Sequence, residues 1–358
     1  MPPKPLPAIA AIEPYKGGES VLPGIEKPVK LASNENPFGP SPKAKAAYIA
    51  AADKLHIYPE GSARVLREAI AARYGLDASR IICGAGSDEI FFLLARAFLE
   101  PGDEIIVPEH AFSIYAIAAH QSGAIVREAR CGLTADVDAM LALVSPRTKI
   151  VFIANPNNPT GTYLPFSEVR RLQAGLPEDV LLVIDAAYAE YVRRNDYSSG
   201  LELAAETENV IMTRTFSKIY GMASARLGWA YGPPVVIDAL NRTRGPFNVA
   251  IPSMMAGVAA IQDQEFLDKT ADHNARELPR VTEALEAMGL EVTPSVGNFV
   301  LVHFAPGKAA EADAHLRKRG YILRAMKGYG FPDALRMTIG TVEQNDGALA
   351  ALREFMRA

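Results

Sequence analysis

The segment KIVFIANPNNPTG, Lys149 to Gly161, sets an uninterrupted apolar run against a stop rich in proline and asparagine. Ile150 to Ala154 carry no polar side chain, so the strand they predict is buried on both faces, as in a parallel sheet covered by helices. Proline presets φ and asparagine tolerates left-handed backbone, so Asn155-Pro156-Asn157-Asn158-Pro159-Thr160-Gly161 reads as a rigid turn at the strand's end. A bare connection needs fewer special residues than this one has.

Working outward, β-rich runs recur at 80–83, 104–108, 124–128, 180–185 and 209–213, with apolar helical segments at 88–99 and 112–122 between them. Ser41-Pro42 supplies an N-cap and first turn for a helix to about residue 54, and a helix over 62–74 stops at Gly75. The alternation predicts an α/β domain with a largely parallel sheet. Beyond Pro246 the pattern changes. A charged helix over 264–288 contains Pro279 and is expected to kink or restart there. Strands near 298–303, 321–324 and 334–339 and helices over 308–319 and 342–357 predict a smaller α+β domain. The expected division is an N-terminal segment 1–40, a large domain 41–246 and a small domain 247–358.

Composition narrows the function. Lys and Arg total 37 against 41 Asp and Glu, a net charge of −4, which supplies no basic stripe for nucleic acid. The apolar run 180–191 is broken by Asp185 and is too short to span a membrane. Two distant cysteines without CxxC spacing and the lack of HExxH give no support to a disulfide scaffold or a metal site. The proline-rich start, MPPKPLPAIAAIEPY, lacks the basic and apolar regions of a signal peptide, so a cytoplasmic enzyme is expected.

Ligands of open α/β sheets bind beyond the carboxyl ends of the strands. There, Asp185 ends an apolar run and needs a cation or donors, or else serves as a helix cap. Thr213-Arg214-Thr215-Phe216-Ser217-Lys218, with Arg226 eight residues on, combines hydroxyls and a guanidinium suited to phosphate with a lysine able to form a Schiff base, and otherwise reads as a solvated basic loop. Gly84-Ala85-Gly86-Ser87-Asp88-Glu89 opens a helix whose N–H groups can cradle phosphate, although its acids also suit the helix dipole. A phosphate, a protonated ring nitrogen, a phenolic oxygen and an aldehyde together describe pyridoxal 5′-phosphate.

The ordered motifs AGSDE, NPNNPTG, DAAY, TFSK and RLG resemble the fold-type I aminotransferases over nearly the whole chain. Pro14-Tyr15, LASNENPFGPSP at 31–42, Tyr58-Pro59 and ILRAMKGYGFPDALRMTIGT at 322–341 are most similar to the histidinol-phosphate aminotransferases within that group. The resemblance implies a mostly parallel seven-stranded sheet between helices, with a smaller α+β domain. It implies that Lys218 is the Schiff-base lysine, that Asp185 pairs with the pyridine nitrogen, and that Asn155 and Tyr188 bind the ring oxygen. Phe112 stacks on the ring, where tyrosine is common in the family. Ser87, Asp88, Thr215, Ser217 and Arg226 hold the cofactor phosphate, joined by Tyr58 from a second subunit of a homodimer. Arg336 and Arg324, with Tyr15 and Asn36, face the substrate. Histidinol phosphate with 2-oxoglutarate or glutamate is the expected pair. An aromatic amino-acid aminotransferase, a phosphothreonine-type decarboxylase and a cofactor-binding sensor are the alternatives.

Overall fold

A computed structural model describes residues 2–15 and 17–357. The large sheet has seven strands, β1 Ile81–Gly84, β2 Glu104–Pro108, β3 Ile125–Ala129, β4 Thr148–Ala154, β5 Leu181–Asp185, β6 Val210–Thr215 and β7 Gly228–Tyr231, in the order β1-β7-β6-β5-β4-β2-β3. Only β7 runs against its neighbours, pairing antiparallel with both β1 and β6. The sequence reading contains no strand at 228–231. It is a four-residue segment that starts at Gly228 and is followed by Gly232-Pro233-Pro234, too short for its periodicity to register.

Alternating residues of each strand feed two cores. Val151, Ile153, Leu182, Ile184, Val210 and Met212 pack on one face, and Ile105, Val107, Phe152, Val183 and Ile211 on the other. Both faces are therefore dry, as the unbroken apolar runs require. At about 25 cal/mol per Å² of apolar surface, such two-sided burial is the main force holding the sheet. No helix among the described residues is long and apolar enough to cross a membrane.

The second sheet is antiparallel, in the order Arg324–Ala325, Ala334–Thr338, Phe299–His303, Glu291–Thr293. Its core takes Val300, Val302, Leu335 and Met337 from the strands and Val281, Leu285, Leu316 and Leu352 from helices. Val29–Lys30 pairs in parallel with Tyr321–Ile322, and Leu31 enters this same core. Two expectations change. The boundary at 246 falls short, because Val249, Met254, Ala256, Ala260, Ile261 and Leu267 pack in the large core. The helix Gln264–Glu286 also does not restart at Pro279. Its buried face, apolar at Leu267, Val281 and Leu285 and hydrogen-bonded through His273, Asn274 and Glu277 between them, is packed along the helix, and that packing offsets the one lost backbone hydrogen bond.

Candidate active site

All strands but β7 run in one direction, so β1, β4, β5 and β6 end on the same edge of the sheet. Their carboxyl ends open into a cleft of about 380 Å³ whose other wall carries Arg324 and Arg336. The cleft unites Tyr15, Ser87, Asp88, Phe112, Asp185, Tyr188, Thr215, Ser217, Lys218, Arg226, Arg324 and Arg336, all expected from the sequence.

Asp185 ends β5 and is 6% exposed. Burial pushes its carboxyl up to about 6, against the hydrogen bonds that favour the ionised form. Tyr115 Oη donates to Oδ2 at 2.7 Å, and Ala187 N donates to Oδ1 at 3.2 Å. Tyr115, which stacks on Phe152 at 4.7 Å, is a partner of Asp185 that sequence reasoning missed. It lies inside the apolar helix Ile114–Gln121 and reads there as core. A carboxylate desolvated to this degree has room for a cation on the cleft side, as a protonated ring nitrogen would supply.

Lys218 Nζ donates to Ser33 O at 3.0 Å. Burial, with the Arg336 charge adding to it, brings its ammonium down to about 8. A larger share is therefore free amine near neutrality than for an exposed lysine, and a free amine is the nucleophile toward an aldehyde. Tyr188 is buried, its phenol pushed up to about 12 by that burial, and its oxygen accepts from Asn34 Nδ2 at 2.9 Å.

One end of the cleft is built for an anion. Ser87 and Asp88 line it at the start of the helix Ser87–Phe98, whose first N–H groups have no helical partner. Gly228 permits the close approach: a Cβ there would stand 2.3 Å from Ser87 N. Thr215 Oγ1 accepts from Ser217 N at 3.0 Å, and Arg226 Nη1 donates to Ser217 Oγ at 3.3 Å. Arg226 holds φ at +46°, an uncommon conformation for a side-chain-bearing residue, and its Nη2 lies 3.4 Å from Asp88 Oδ2. Two hydroxyls, a guanidinium and a helix start suit a phosphate dianion.

The opposite end is cationic too. Arg336 is buried, donates to Ala32 O at 2.8 Å and to Asn158 Oδ1, and keeps a buried Nε without a partner among the described residues. Burial lowers its pKa from the ordinary arginine value. Arg324 faces it across the antiparallel pair. Tyr15 borders this end with its ring edge-on to Phe112 at 6.4 Å.

Two expected residues stand elsewhere. Asn155 spends its amide on Leu164, accepting from Leu164 N at 2.9 Å and donating to Leu164 O at 3.1 Å, and it is Asn158 that lines the cleft. Both lie in one turn with cis bonds before Pro156 and Pro159, and composition alone does not say which amide points inward. Asn36 likewise is occupied, donating to Ile219 O at 2.6 Å and accepting from Phe38 N at 2.9 Å, which steadies the backbone next to Lys218. Asn34 takes the place on the cleft wall, held at φ +57°. Tyr58 is 78% exposed, stacked on Phe247 at 4.7 Å, and lies outside the cleft of its own chain.

The family model described as aminotransferase class I and II matches residues 26–352. A histidinol-phosphate aminotransferase of Rhodopseudomonas palustris (strain BisB5) is 58% identical over 99% of this chain and 98% of its own length. That of strain HaA2 is 56% identical over the same shares. Among solved structures, the histidinol-phosphate aminotransferase from Sinorhizobium meliloti in complex with pyridoxal-5′-phosphate superposes with a TM-score of 0.88 at 26% identity, covering 98% of this chain and 97% of that one. A family match that spans both sheets and all of the cleft but its N-terminal border at Tyr15, Gly17 and Gly18 agrees with the chemistry of the walls, and the chain belongs to the aminotransferase class I and II family.

Proposed function

We propose that this protein is a pyridoxal 5′-phosphate-dependent aminotransferase that moves the amino group of histidinol phosphate to 2-oxoglutarate. The observation that carries the reading is one cleft with an amine of lowered pKa at its centre and a separate anion-binding group at each end. Full-length relatives bearing the histidinol-phosphate name support the choice of substrate.

Pyridoxal 5′-phosphate supplies an aldehyde that condenses with amines and a ring that accepts the electron pair released at the substrate's amine-bearing carbon. Lys218 Nζ is the amine that would hold the aldehyde, and Ser87, Asp88, Thr215, Ser217 and Arg226 would hold the phosphate. Asp185, oriented by Tyr115, would keep the ring nitrogen protonated, and its own desolvation would strengthen that pairing. Tyr188 and Asn158, which line the cleft, would bind the ring oxygen, and Phe112 would offer the ring an apolar face. The freed Lys218 amine would be the base that takes a proton from the substrate's amine-bearing carbon and the acid that returns one. A pKa near 8 suits both directions of that transfer at physiological pH. Arg336 and Arg324 hold the substrate's anionic group.

A steady-state comparison of histidinol phosphate with phenylalanine and tyrosine as amino donors tests the substrate. A kcat/KM for histidinol phosphate well above both is expected, and a preference for the aromatic amino acids would replace this reading with an aromatic aminotransferase.

The exposed Tyr58 fits a homodimer in which each subunit completes the partner's phosphate site. Hybrid dimers of Tyr58→Ala and Lys218→Ala chains should then regain one intact site and exceed both parents in activity. Hybrids no better than the parents would end the shared-site proposal.

A further inference from the structure

The loop 109–113 follows β2 and reaches both parts of the molecule. Phe112 lines the cleft, while His110 and Ser113 touch Tyr329, in the loop between Arg324–Ala325 and Ala334–Thr338. His110 Nδ1 lies 2.5 Å from Tyr329 O, so this nitrogen carries the proton and donates to the carbonyl. The imidazole packs on Phe331 with centroids 4.0 Å apart. Gly330, between them, holds φ at +85°, and a Cβ there would come within 2.8 Å of the His110 ring. His110 itself holds φ at +63°, a conformation rare outside glycine and kept where surrounding contacts over-determine it. The histidine thus grips three consecutive residues of the opposite wall.

What the grip presents is a phenol. Tyr329 lines the same cleft as Arg324 and Arg336, and its hydroxyl stands 3.5 Å from Ser113 Oγ. It lies in the loop that joins the paired strands of Arg324 and Arg336, which puts it on the cationic wall of the cleft rather than at the end at Ser87. A phenol is a neutral donor that adds a hydrogen bond to an anion without raising the repulsion between two guanidinium groups.

We propose that Tyr329 is a substrate-recognition residue that donates its hydroxyl to the anionic group of the amino donor beside Arg324 and Arg336, and that His110 is its positioning residue. The inference deepens the proposed function and rests on it for the identity of the donor, not for the contact itself. The sequence reading assigns neither residue to the site. His110 belongs to no motif, and Tyr329 lies within ILRAMKGYGFPDALRMTIGT without a role of its own.

The test uses purified holoenzyme. Tyr329→Phe removes one oxygen, and the KM for histidinol phosphate should rise roughly tenfold with a smaller change in kcat, the pattern of lost binding to substrate and transition state alike. His110→Ala should reproduce that split through the displaced loop. His110→Asn should recover most of it, since asparagine keeps an N–H donor and tolerates positive φ. The glutamate half-reaction, read from the cofactor's absorbance, is independent of the histidinol-phosphate reading, and there Tyr329→Phe should raise the apparent Kd severalfold. If wild-type enzyme ignores histidinol phosphate while Tyr329→Phe still weakens glutamate, the substrate reading fails and the Tyr329 assignment stands. If Tyr329→Phe alters neither KM nor apparent Kd, the assignment is overturned. A loss in His110→Ala that His110→Asn does not restore overturns the positioning role.

Discussion

Arg324 stands directly opposite Arg336 in an antiparallel pair, so both side chains leave the same face of the sheet toward one cleft. Like charges in that relation repel, and Arg336 is also largely stripped of water. A bound dianion relieves both costs, and a monocarboxylate relieves less. The register therefore carries a specificity argument.

Arg324→Ala should lower kcat/KM for histidinol phosphate by about ten- to hundredfold and for phenylalanine much less, the usual value of a hydrogen bond to a charged group. Arg336→Ala should damage both substrates. Arg324→Lys probes geometry, because it keeps charge and loses the planar fork. Equal losses for the two substrates in Arg324→Ala would remove its discriminating role.

Asp185→Asn should separate stability from catalysis. The folded carboxyl titrates near 6, above its unfolded value, so the cofactor-free fold binds more protons than the unfolded chain between about pH 4 and 6 and loses stability as pH rises through that window. Above it the charged group is a net burden. Asparagine removes the burden, so at pH 7 the cofactor-free variant should gain on the order of 1–3 kcal/mol in denaturant unfolding. The holoenzyme's kcat should fall by orders of magnitude. A normal kcat would reduce Asp185 to a strand-end cap.

Lys218 predicts the opposite slope on the alkaline side. Its folded pKa near 8 lies below the ordinary lysine value, so the unfolded chain binds more protons between about pH 8 and 10 and the cofactor-free fold gains stability as pH rises through that interval. Lys218→Met should flatten the gain in a Tm-against-pH series and abolish turnover. A series with the same slope in the variant would show that another group titrates there.

The two asparagines of the turn after β4 should fail in different ways. Asn155→Ala strands the Leu164 N–H and C=O in a buried position and should cost about 1–3 kcal/mol of stability. Asn158→Ala should leave stability nearly intact, release Arg336 and lower kcat/KM. Unfolding curves and steady-state kinetics on both variants decide it, and the reverse pattern would restore Asn155 to the cleft.

The sequence by itself determined the α/β class, the strand runs that build the large sheet apart from β7, and the positions of Asp185, Lys218, Thr215, Ser217 and the helix start at Ser87. These are local signals. An apolar run buried on both faces has to end where the chain turns polar, and in a parallel sheet those ends share one edge. Tertiary structure alone decided which asparagine of NPNNPTG points into the cleft, because side-chain direction in an aperiodic turn follows backbone angles that composition does not encode. It also decided that Arg324 and Arg336 are neighbours, since pairing register between segments twelve residues apart depends on the whole small core, and a slip of one residue would send them to opposite faces. Tyr115 and His110 belong with them. Each works through one hydrogen bond to a distant segment, at 2.7 and 2.5 Å, and nothing in their own neighbourhood of the chain announces the partner.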